Sequence, residues 1–263
     1  MQIGLMNNPS ADLREEISSI GMARYDFVDL TIEGPHIQKK DVEWIGALLE
    51  EYGLFIVGHT DPCLPYSYPI QEIRDASIKE LERCASIFSA LGAKVMNIHP
   101  CYTYPPPRRM DVVDLNIEAL PRIVEMAGSY GLTVAYENFR SPFDTVSTFK
   151  RLLKEVPGLK VHLDMGHCNM GEDNGVLFCR ELGEEIVHVH LSDNLVSGDH
   201  HMPLGTGTIH WKDAIGAVKS IGYDGPVTLE VFCRDETVRF DYLDISRRLL
   251  KRYWGQGECI VRS

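Results

Sequence analysis

Acidic and imidazole side chains stand at the ends of six short apolar segments that follow one another along the chain. They are His59, His99, Glu137, Asp164, His190 and Glu230. Imidazole nitrogens and carboxylate oxygens are the ligands that zinc and manganese bind in proteins. A single residue of this kind is usually a satisfied polar group, but carboxylates buried together are costly unless a cation or hydrogen bonds offset their charge. The set therefore predicts a site for a divalent metal, Zn²⁺ or Mn²⁺.

Three further residues are candidates for the same cluster. His167 follows Asp164 by three positions, and Asp199 and His201 form an Asp-x-His pair. Residues i and i+2 of an extended segment share a side, so both members of the pair could reach one ion, while His200 would point away. The nine candidates leave the number of ions open between one and three.

Two more histidines precede members of the cluster by two positions. His162 shares a strand face with Asp164, and His188 shares one with His190. Each would lie one layer deeper than the ligands. We expect them to support the ligands or to fill the core.

The apolar segments predict eight strands, because they are short, rich in Val, Ile and Leu, and separated by amphipathic stretches. The strand candidates are Ile3–Met6, Phe27–Leu30, Phe55–Gly58, Val95–Ile98, Thr133–Tyr136, Lys160–Leu163, Ile186–Leu191 and Pro226–Val231. The helix candidates are Asp12–Ile20, Lys39–Tyr52, Ile70–Leu91, Val112–Tyr130, Pro142–Val156, Val176–Leu182, His210–Ile221 and Glu236–Tyr253. Glycines close four of these helices, at positions 53, 92, 131 and 222, and Asp111 and Ser141 are predicted N-caps.

Eight alternating strand and helix units indicate an α/β protein with a parallel sheet. We predict a (β/α)₈ TIM barrel forming a single domain over residues 1–263, whose active site lies at the carboxyl ends of the strands. An open doubly wound sheet is the alternative. The chain has no Gly-rich phosphate loop after a strand, which disfavours an open nucleotide-binding sheet.

The composition is that of an ordinary soluble globular protein. A net charge of −12 disfavours a protein that binds nucleic acid through broad backbone electrostatics, although ligand carboxylates contribute to that charge. The seven cysteines include no CxxC pair, so neither a disulfide framework nor a zinc ribbon is indicated. No apolar run could span a membrane and the N-terminus does not resemble a secretory signal, so we expect a cytoplasmic protein. A homo-oligomer is left open.

Four motifs carry a resemblance to a known family. They are Leu163-Asp164-x-Gly166-His167, His188-Val189-His190-Leu191-Ser192-Asp193, Asp199-x-His201-x-Pro203-Leu204-Gly205-Thr206-Gly207, and Gly222-Tyr223-Asp224-Gly225-Pro226-Val227-Thr228-Leu229-Glu230. At these motifs, and over about residues 3–250, the chain resembles the xylose-isomerase-like barrel superfamily. That superfamily includes sugar phosphate isomerases/epimerases and endonuclease IV.

The resemblance implies two metal arrangements. In the epimerase arrangement one ion is held by Glu137, Asp164, His190 and Glu230. In the endonuclease IV arrangement three zinc ions are held, and the chain carries all nine matching residues. His59, His99 and Glu137 would hold the first ion, the four epimerase ligands the second, and His167, Asp199 and His201 the third.

The favoured hypothesis is an isomerase or epimerase that acts on a small sugar, sugar phosphate or related hydroxycarbonyl compound through an ene-diolate. The resemblance implies that Glu137 and Glu230 are the base and acid. His167 and His201 would bind substrate hydroxyls, and Arg140 or Arg234 could hold a phosphate.

The alternative is a zinc-dependent AP endonuclease that cleaves abasic DNA. A nucleic-acid partner is the weaker hypothesis for two reasons. The loops after the first three strands are short, and the presumed mouth of the barrel has few basic residues, namely Arg108, Arg109, Arg140 and Arg234. The segments around Glu137 and His190 also resemble the isomerase branch of the superfamily more than endonuclease IV. A non-catalytic barrel used for binding ranks third.

Overall fold

A computed structural model describes residues 1–102 and 111–255. Eight parallel strands form a closed barrel in chain order, and the last strand pairs with the first. The strands are β1 (Gln2–Met6), β2 (Phe27–Ile32), β3 (Phe55–Thr60), β4 (Val95–Ile98), β5 (Thr133–Glu137), β6 (Lys160–Asp164), β7 (Ile186–Leu191) and β8 (Pro226–Leu229). The predicted TIM barrel is therefore confirmed, and the open doubly wound alternative is excluded.

Helices surround the barrel and connect the strands. They are α1 (Leu13–Met22), α2 (Val42–Tyr52), α3 (Gln71–Ala90), α4 (Val112–Ser129), α5 (Val146–Glu155), α6 (Met165–Met170), α7 (Gly175–Leu182), α8 (Trp211–Ser220) and α9 (Arg239–Gly255). Short 3₁₀ turns cover residues 34–36, 39–41, 183–185 and 236–238. In the two described ranges, no helix is long and apolar enough to cross a bilayer.

Most of the predicted helix caps are confirmed. Asp111 caps α4 by accepting a hydrogen bond from the backbone N–H of Val113, as predicted. The four glycines predicted to end helices all have φ between 66° and 84°, a region that side-chain-bearing residues rarely adopt.

One local prediction was wrong, and one short helix was missed. Ser141 does not cap a helix, because α5 begins at Val146 and Thr145 is its N-cap, accepting from the backbone N–H of Thr148. The short helix α6 was not predicted. Its N-cap is Asp164, whose Oδ1 accepts from the backbone N–H of His167 at 2.6 Å. A candidate metal ligand thus also starts a helix, and six residues are too few for hydrophobic periodicity to appear.

The barrel has an apolar layer outside the strands and a polar interior near their carboxyl ends. Large apolar side chains such as Phe88, Phe149 and Phe178 are buried between strands and helices. The interior instead holds fully buried polar side chains on five different strands: Asp29, Asn97, His162, His188, His190 and Thr228. Apolar burial stabilises the barrel, while the polar interior supports the site described below.

A buried ion pair joins the first and last helices of the barrel. The Arg239 guanidinium donates from Nη1 to both carboxylate oxygens of Glu16, at 2.7 and 2.8 Å, and from Nη2 to the carbonyl of Met6 at 3.1 Å. Arg239 is only 2% exposed and Glu16 7% exposed. Removing one partner would leave the other charge buried and unpaired.

We expect Arg239→Ala to lower the free energy of unfolding by about 3–5 kcal/mol, because Glu16 would lose its cation and keep its buried charge with the backbone N–H of Asn8 as its remaining described donor. Urea unfolding followed by circular dichroism measures the change. The matched control is Arg248→Ala on the same helix, whose side chain is 70% exposed and pairs with Asp244. The control should cost less than about 1 kcal/mol. Equal losses in the two variants would contradict the assignment.

Candidate metal centre

The barrel brings the six predicted strand-end residues to one end of the molecule. Glu137 and Asp164 are the last residues of β5 and β6. His99 and Glu230 immediately follow β4 and β8. His59 and His190 instead lie one residue before the ends of their strands. β3 ends at Thr60 and β7 ends at Leu191. All six therefore occupy the carboxyl ends of consecutive strands, as predicted.

His190 is surrounded by the other candidate ligands of the epimerase arrangement. Its Nδ1 lies 3.0 Å from Oε2 of Glu230 and 3.8 Å from Oδ2 of Asp164. Asp164 and His190 are direct cross-strand partners in the β6–β7 register. Ligand atoms of Glu137, Asp164 and His190 all lie within 4.8 Å of one another. Glu137, Asp164 and His190 can therefore reach a common ion, and Glu230 adjoins them through its contact with His190.

Several buried oxygen and nitrogen atoms in this cluster have no hydrogen-bond partner within residues 1–102 and 111–255. They include Oδ2 of Asp164 and Oε2 of Glu137, on side chains that are 1% exposed. His99 Nε2 and His162 Nδ1 lie 3.0 and 3.1 Å from that Glu137 oxygen without hydrogen-bond geometry. Uncompensated carboxylate oxygens in the interior are costly. A divalent cation fits this donor set, because mixed imidazole and carboxylate ligands suit zinc and manganese.

The three carboxylates differ in the direction of their pKa shifts. Burial raises the pKa of Asp164 to about 6, and the carboxylates of Glu230 and Glu137 add to that rise. Burial also opposes ionisation of Glu230, but His201 and His190 outweigh it and lower its pKa to about 2. Burial is likewise outweighed at Glu137, where His99 and His162 hold the pKa well below its usual value. A carboxylate with a raised pKa beside two charged ones indicates excess negative charge that a cation would relieve.

A second candidate ligand group lies beside the first. Ligand atoms of His59, His99 and Glu137 lie within 4.8 Å of one another. Glu137 is shared between the two groups, as the endonuclease IV arrangement requires. The described geometry therefore offers ligands for a second ion.

The third predicted group is held together by Asp199. Its Oδ2 lies 3.1 Å from Nε2 of His167 and 3.3 Å from Nε2 of His201. His201 is not in an extended conformation, because its φ is +47°, yet its ring still reaches the carboxylate. His200 is exposed, as predicted. His167 also contacts Glu137, with Nδ1 3.0 Å from Oε1, so this group adjoins the centre.

Asp193 anchors the segment that carries Asp199 and His201. This fully buried carboxylate accepts hydrogen bonds from Trp211 Nε1 at 2.7 Å and from the backbone N–H of Gly205 at 2.9 Å. Asp193 also pairs with Met202 in a short antiparallel bridge. The segment is therefore tied at both ends to the barrel.

Asp29 is a residue of the centre that the sequence reasoning missed. It lies in the middle of β2, is fully buried, and its Oδ2 is 2.6 Å from Nε2 of His190. His59 Nδ1 and His188 Nε2 lie 3.7 and 3.6 Å from its two oxygens. The available signal was an aspartate inside the apolar run Phe27–Ile32, since a charged residue there needs a buried partner.

The predicted phosphate-binding arginines lie at the surface. Arg140 and Arg234 are both exposed. The Arg140 guanidinium stacks 5.2 Å from the centre of the Phe139 ring, and that ring packs edge-on against His167. Arg108 and Arg109 lie outside the described residues. Arg140 is therefore connected to the centre through one aromatic ring.

Mn²⁺ or Zn²⁺ added to metal-free protein should raise its Tm, because an ion that binds only the folded chain stabilises it. Asp164→Asn should remove most of that rise, since it replaces a ligand carboxylate by a neutral amide. Differential scanning calorimetry with and without the metal measures both effects. Asp144→Asn is the control, because Asp144 is also buried but contacts the backbone of Glu172 outside the cluster. If the Asp164 and Asp144 variants keep the same rise, the assignment of Asp164 is wrong.

Comparisons with known proteins agree with the barrel fold. An uncharacterised protein of Methanocaldococcus jannaschii is 26% identical over 92% of this chain and 84% of its own length. An L-ribulose 3-epimerase of Methylomonas sp. is 25% identical over 85% of this chain and 79% of its own length. The crystal structure of a D-tagatose 3-epimerase-like protein superposes with a TM-score of 0.85 at 24% identity, covering 96% of this chain and 98% of that one. The model of one family, described as the xylose isomerase-like TIM barrel, matches residues 15–253, and the chain belongs to that family.

Proposed function

We propose that the protein is a metal-dependent epimerase or isomerase of a small sugar. The observation that carries the proposal is the placement of Glu137 and Glu230. These carboxylates come from β5 and from the end of β8, which are separated by β6 and β7. Both contact the cluster that contains Asp164 and His190. When two carboxylates lie on opposite sides of one bound substrate, one can remove a proton from a carbon and the other can return a proton to the opposite face of that carbon.

In this proposal Glu137 is the base and Glu230 is the acid. The lowered pKa of Glu137 keeps its carboxylate ionised at neutral pH, as a base that removes a proton next to a carbonyl must be. Glu230 delivers a proton to the opposite face of the same carbon, and because its pKa is lowered to about 2 it must first take that proton up from solvent. When bound, the divalent ion would supply Lewis-acid stabilisation of the negative charge that develops on the substrate oxygens.

Other residues of the centre are placed to orient the sugar. His167 is held by Asp199 and by the carbonyl of Asn138, and its ring faces Glu137. His201 keeps a quarter of its side chain exposed, so it can meet a ligand that enters from solvent. We propose that these two rings hydrogen-bond the sugar hydroxyls. For a phosphorylated substrate, Arg140 and Arg234 are the candidate phosphate ligands.

The relatives favour a ketose as the substrate. The Methylomonas relative is named an L-ribulose 3-epimerase, and the structural neighbour a D-tagatose 3-epimerase-like protein. A ketose has its acidic hydrogen on the carbon beside the carbonyl, where two opposed carboxylates could invert the configuration. We therefore propose epimerisation at C3 of a ketose as the first reaction to test.

The test is solvent-proton exchange with metal-loaded protein. L-ribulose, D-tagatose, D-psicose and D-fructose are each incubated in D₂O, and deuterium at C3 and formation of the epimer are followed by NMR. Since two carboxylates exchange their protons with solvent, the product should carry deuterium. We expect Glu137→Gln and Glu230→Gln each to lower kcat by about 10²–10⁴-fold, because each removes one member of the acid–base pair.

Glu172→Gln is the control for these variants. Glu172 is exposed and follows α6, whose N-cap is Asp164, so its loss of charge should leave kcat nearly unchanged. The proposal is wrong if no ketose or ketose phosphate exchanges with loaded protein. It is also wrong if the Glu172 variant loses as much activity as the other two.

One observation favours the endonuclease hypothesis as a second candidate. His167, Asp199 and His201 are in contact, and His59, His99 and Glu137 form a further ligand group. Both groups are what a three-zinc phosphodiesterase would need. Incision of a duplex with one abasic site by zinc-loaded protein, lost in Glu230→Gln, would establish this activity and displace the sugar proposal.

A further inference from the structure

A chain of hydrogen-bonded side chains runs beneath the candidate metal centre and crosses four strands. Asn97 Nδ2 lies 2.7 Å from His188 Nδ1, and His188 Nε2 lies 2.9 Å from Thr228 Oγ1. Thr228 Oγ1 lies 2.9 Å from Asp29 Oδ2, which is 2.6 Å from His190 Nε2. All five side chains are fully buried. We call this chain, from Asn97 to His190, the interior relay.

The direction of each hydrogen bond in the interior relay follows from the chemistry of its two ends. An amide nitrogen only donates, so Nδ1 of His188 accepts and its proton is on Nε2. That proton is donated to the Thr228 hydroxyl, which in turn donates to the Asp29 carboxylate. A carboxylate only accepts, so His190 must donate from Nε2. Burial also lowers the pKa of His188 well below its ordinary value, which agrees with a neutral ring carrying one proton.

The hydrogen bond from His190 Nε2–H to Asp29 determines which nitrogen of His190 can bind an ion. With Nε2–H held by Asp29, the nitrogen that faces Glu230 and Asp164 is Nδ1, at 3.0 and 3.8 Å. A ring rotated about its axis would lose the bond to Asp29, and the nitrogen facing Glu230 and Asp164 would then carry the proton and could not bind an ion. A carboxylate that holds the far nitrogen of a ligating histidine fixes the ring and increases its basicity.

We propose that Asp29 is a positioning residue that, oriented by Thr228 and His188, holds His190 Nδ1 toward the ion and sets the affinity of the centre for a divalent cation. This inference rests on the metal-binding half of the proposed function. It also accounts for a charged residue in the middle of a buried strand. Oδ1 of Asp29 has no hydrogen-bond partner in the part of the chain that the structure describes, and His59 Nδ1 lies 3.7 Å from it.

The test is the affinity of metal-free protein for Zn²⁺, measured by competition with a chromophoric chelator. Asp29→Asn should weaken binding by about 10–100-fold, the usual cost of losing such a partner. Thr228→Val should weaken it less, because Asp29 keeps its charge but loses one of its two donors. Thr31→Val is the matched control. Thr31 lies two residues after Asp29 on β2, and its buried hydroxyl has no described partner, so affinity should stay unchanged.

A spectroscopic measurement separates positioning from general damage. In zinc-loaded protein labelled with ¹⁵N-histidine, the His190 Nε2–H proton should resonate far downfield, because it is donated to a carboxylate at 2.6 Å. The resonance should move upfield in Asp29→Asn and shift less in Thr228→Val. If the Asp29 variant fails to fold, the Thr228→Val and Thr31→Val variants still test the proposal. Of these two, only Thr228→Val should change the zinc affinity and the chemical shift of the His190 proton.

The outcomes distinguish this inference from the proposed function. Wild-type affinity and an unmoved resonance in Asp29→Asn would overturn the role of Asp29 and leave the sugar reaction standing. Weakened zinc binding in a protein that exchanges no ketose proton would support the interior relay and reject the epimerase. A wild-type protein that binds no zinc would reject both.

Discussion

Mutual repulsion of buried carboxylates is the constraint on which the rest of the structure depends. Glu137, Asp164 and Glu230 converge on His190 at the carboxyl end of the barrel. Their environments differ enough that burial raises the pKa of Asp164 while nearby imidazoles lower that of Glu230. Such a cluster is costly in a folded chain unless positive charge, hydrogen bonds or protonation compensate it. The histidines supply part of that charge, and a divalent ion would supply the rest.

The barrel tolerates this cost because stability and function occupy different layers. Apolar side chains between the strands and the surrounding helices bury the area that drives folding, and the ion pair of Arg239 with Glu16 joins the first and last helices. The strand ends are then free to carry unfavourable polar groups. Their backbone positions are fixed by the sheet register, as in the direct pairing of Asp164 with His190. A rigid frame can hold ligands at fixed positions even when those ligands repel one another.

Sequence reasoning predicted the barrel and the strand-end cluster because both follow from periodic features. Residues such as Asp164 and Glu230 end apolar runs, and the parallel barrel brings such ends together whatever the intervening loops do. Asp29 was missed because it interrupts a strand, where its partner His190 is far away in sequence. Helix α6 and the cap at Thr145 were missed because short helices and caps depend on individual hydrogen bonds. The roles of the nine candidate ligands stay predictions, since geometry alone does not identify the bound ion.

Anomalous diffraction from crystals grown with Mn²⁺ tests the central claim most directly. The account predicts a strong peak at the manganese edge bounded by Glu137, Asp164, His190 and Glu230, with His190 Nδ1 facing it. A map without a peak there, with Asp164 and Glu230 hydrogen-bonded to protein or water instead, would contradict the claim that a cation compensates these carboxylates.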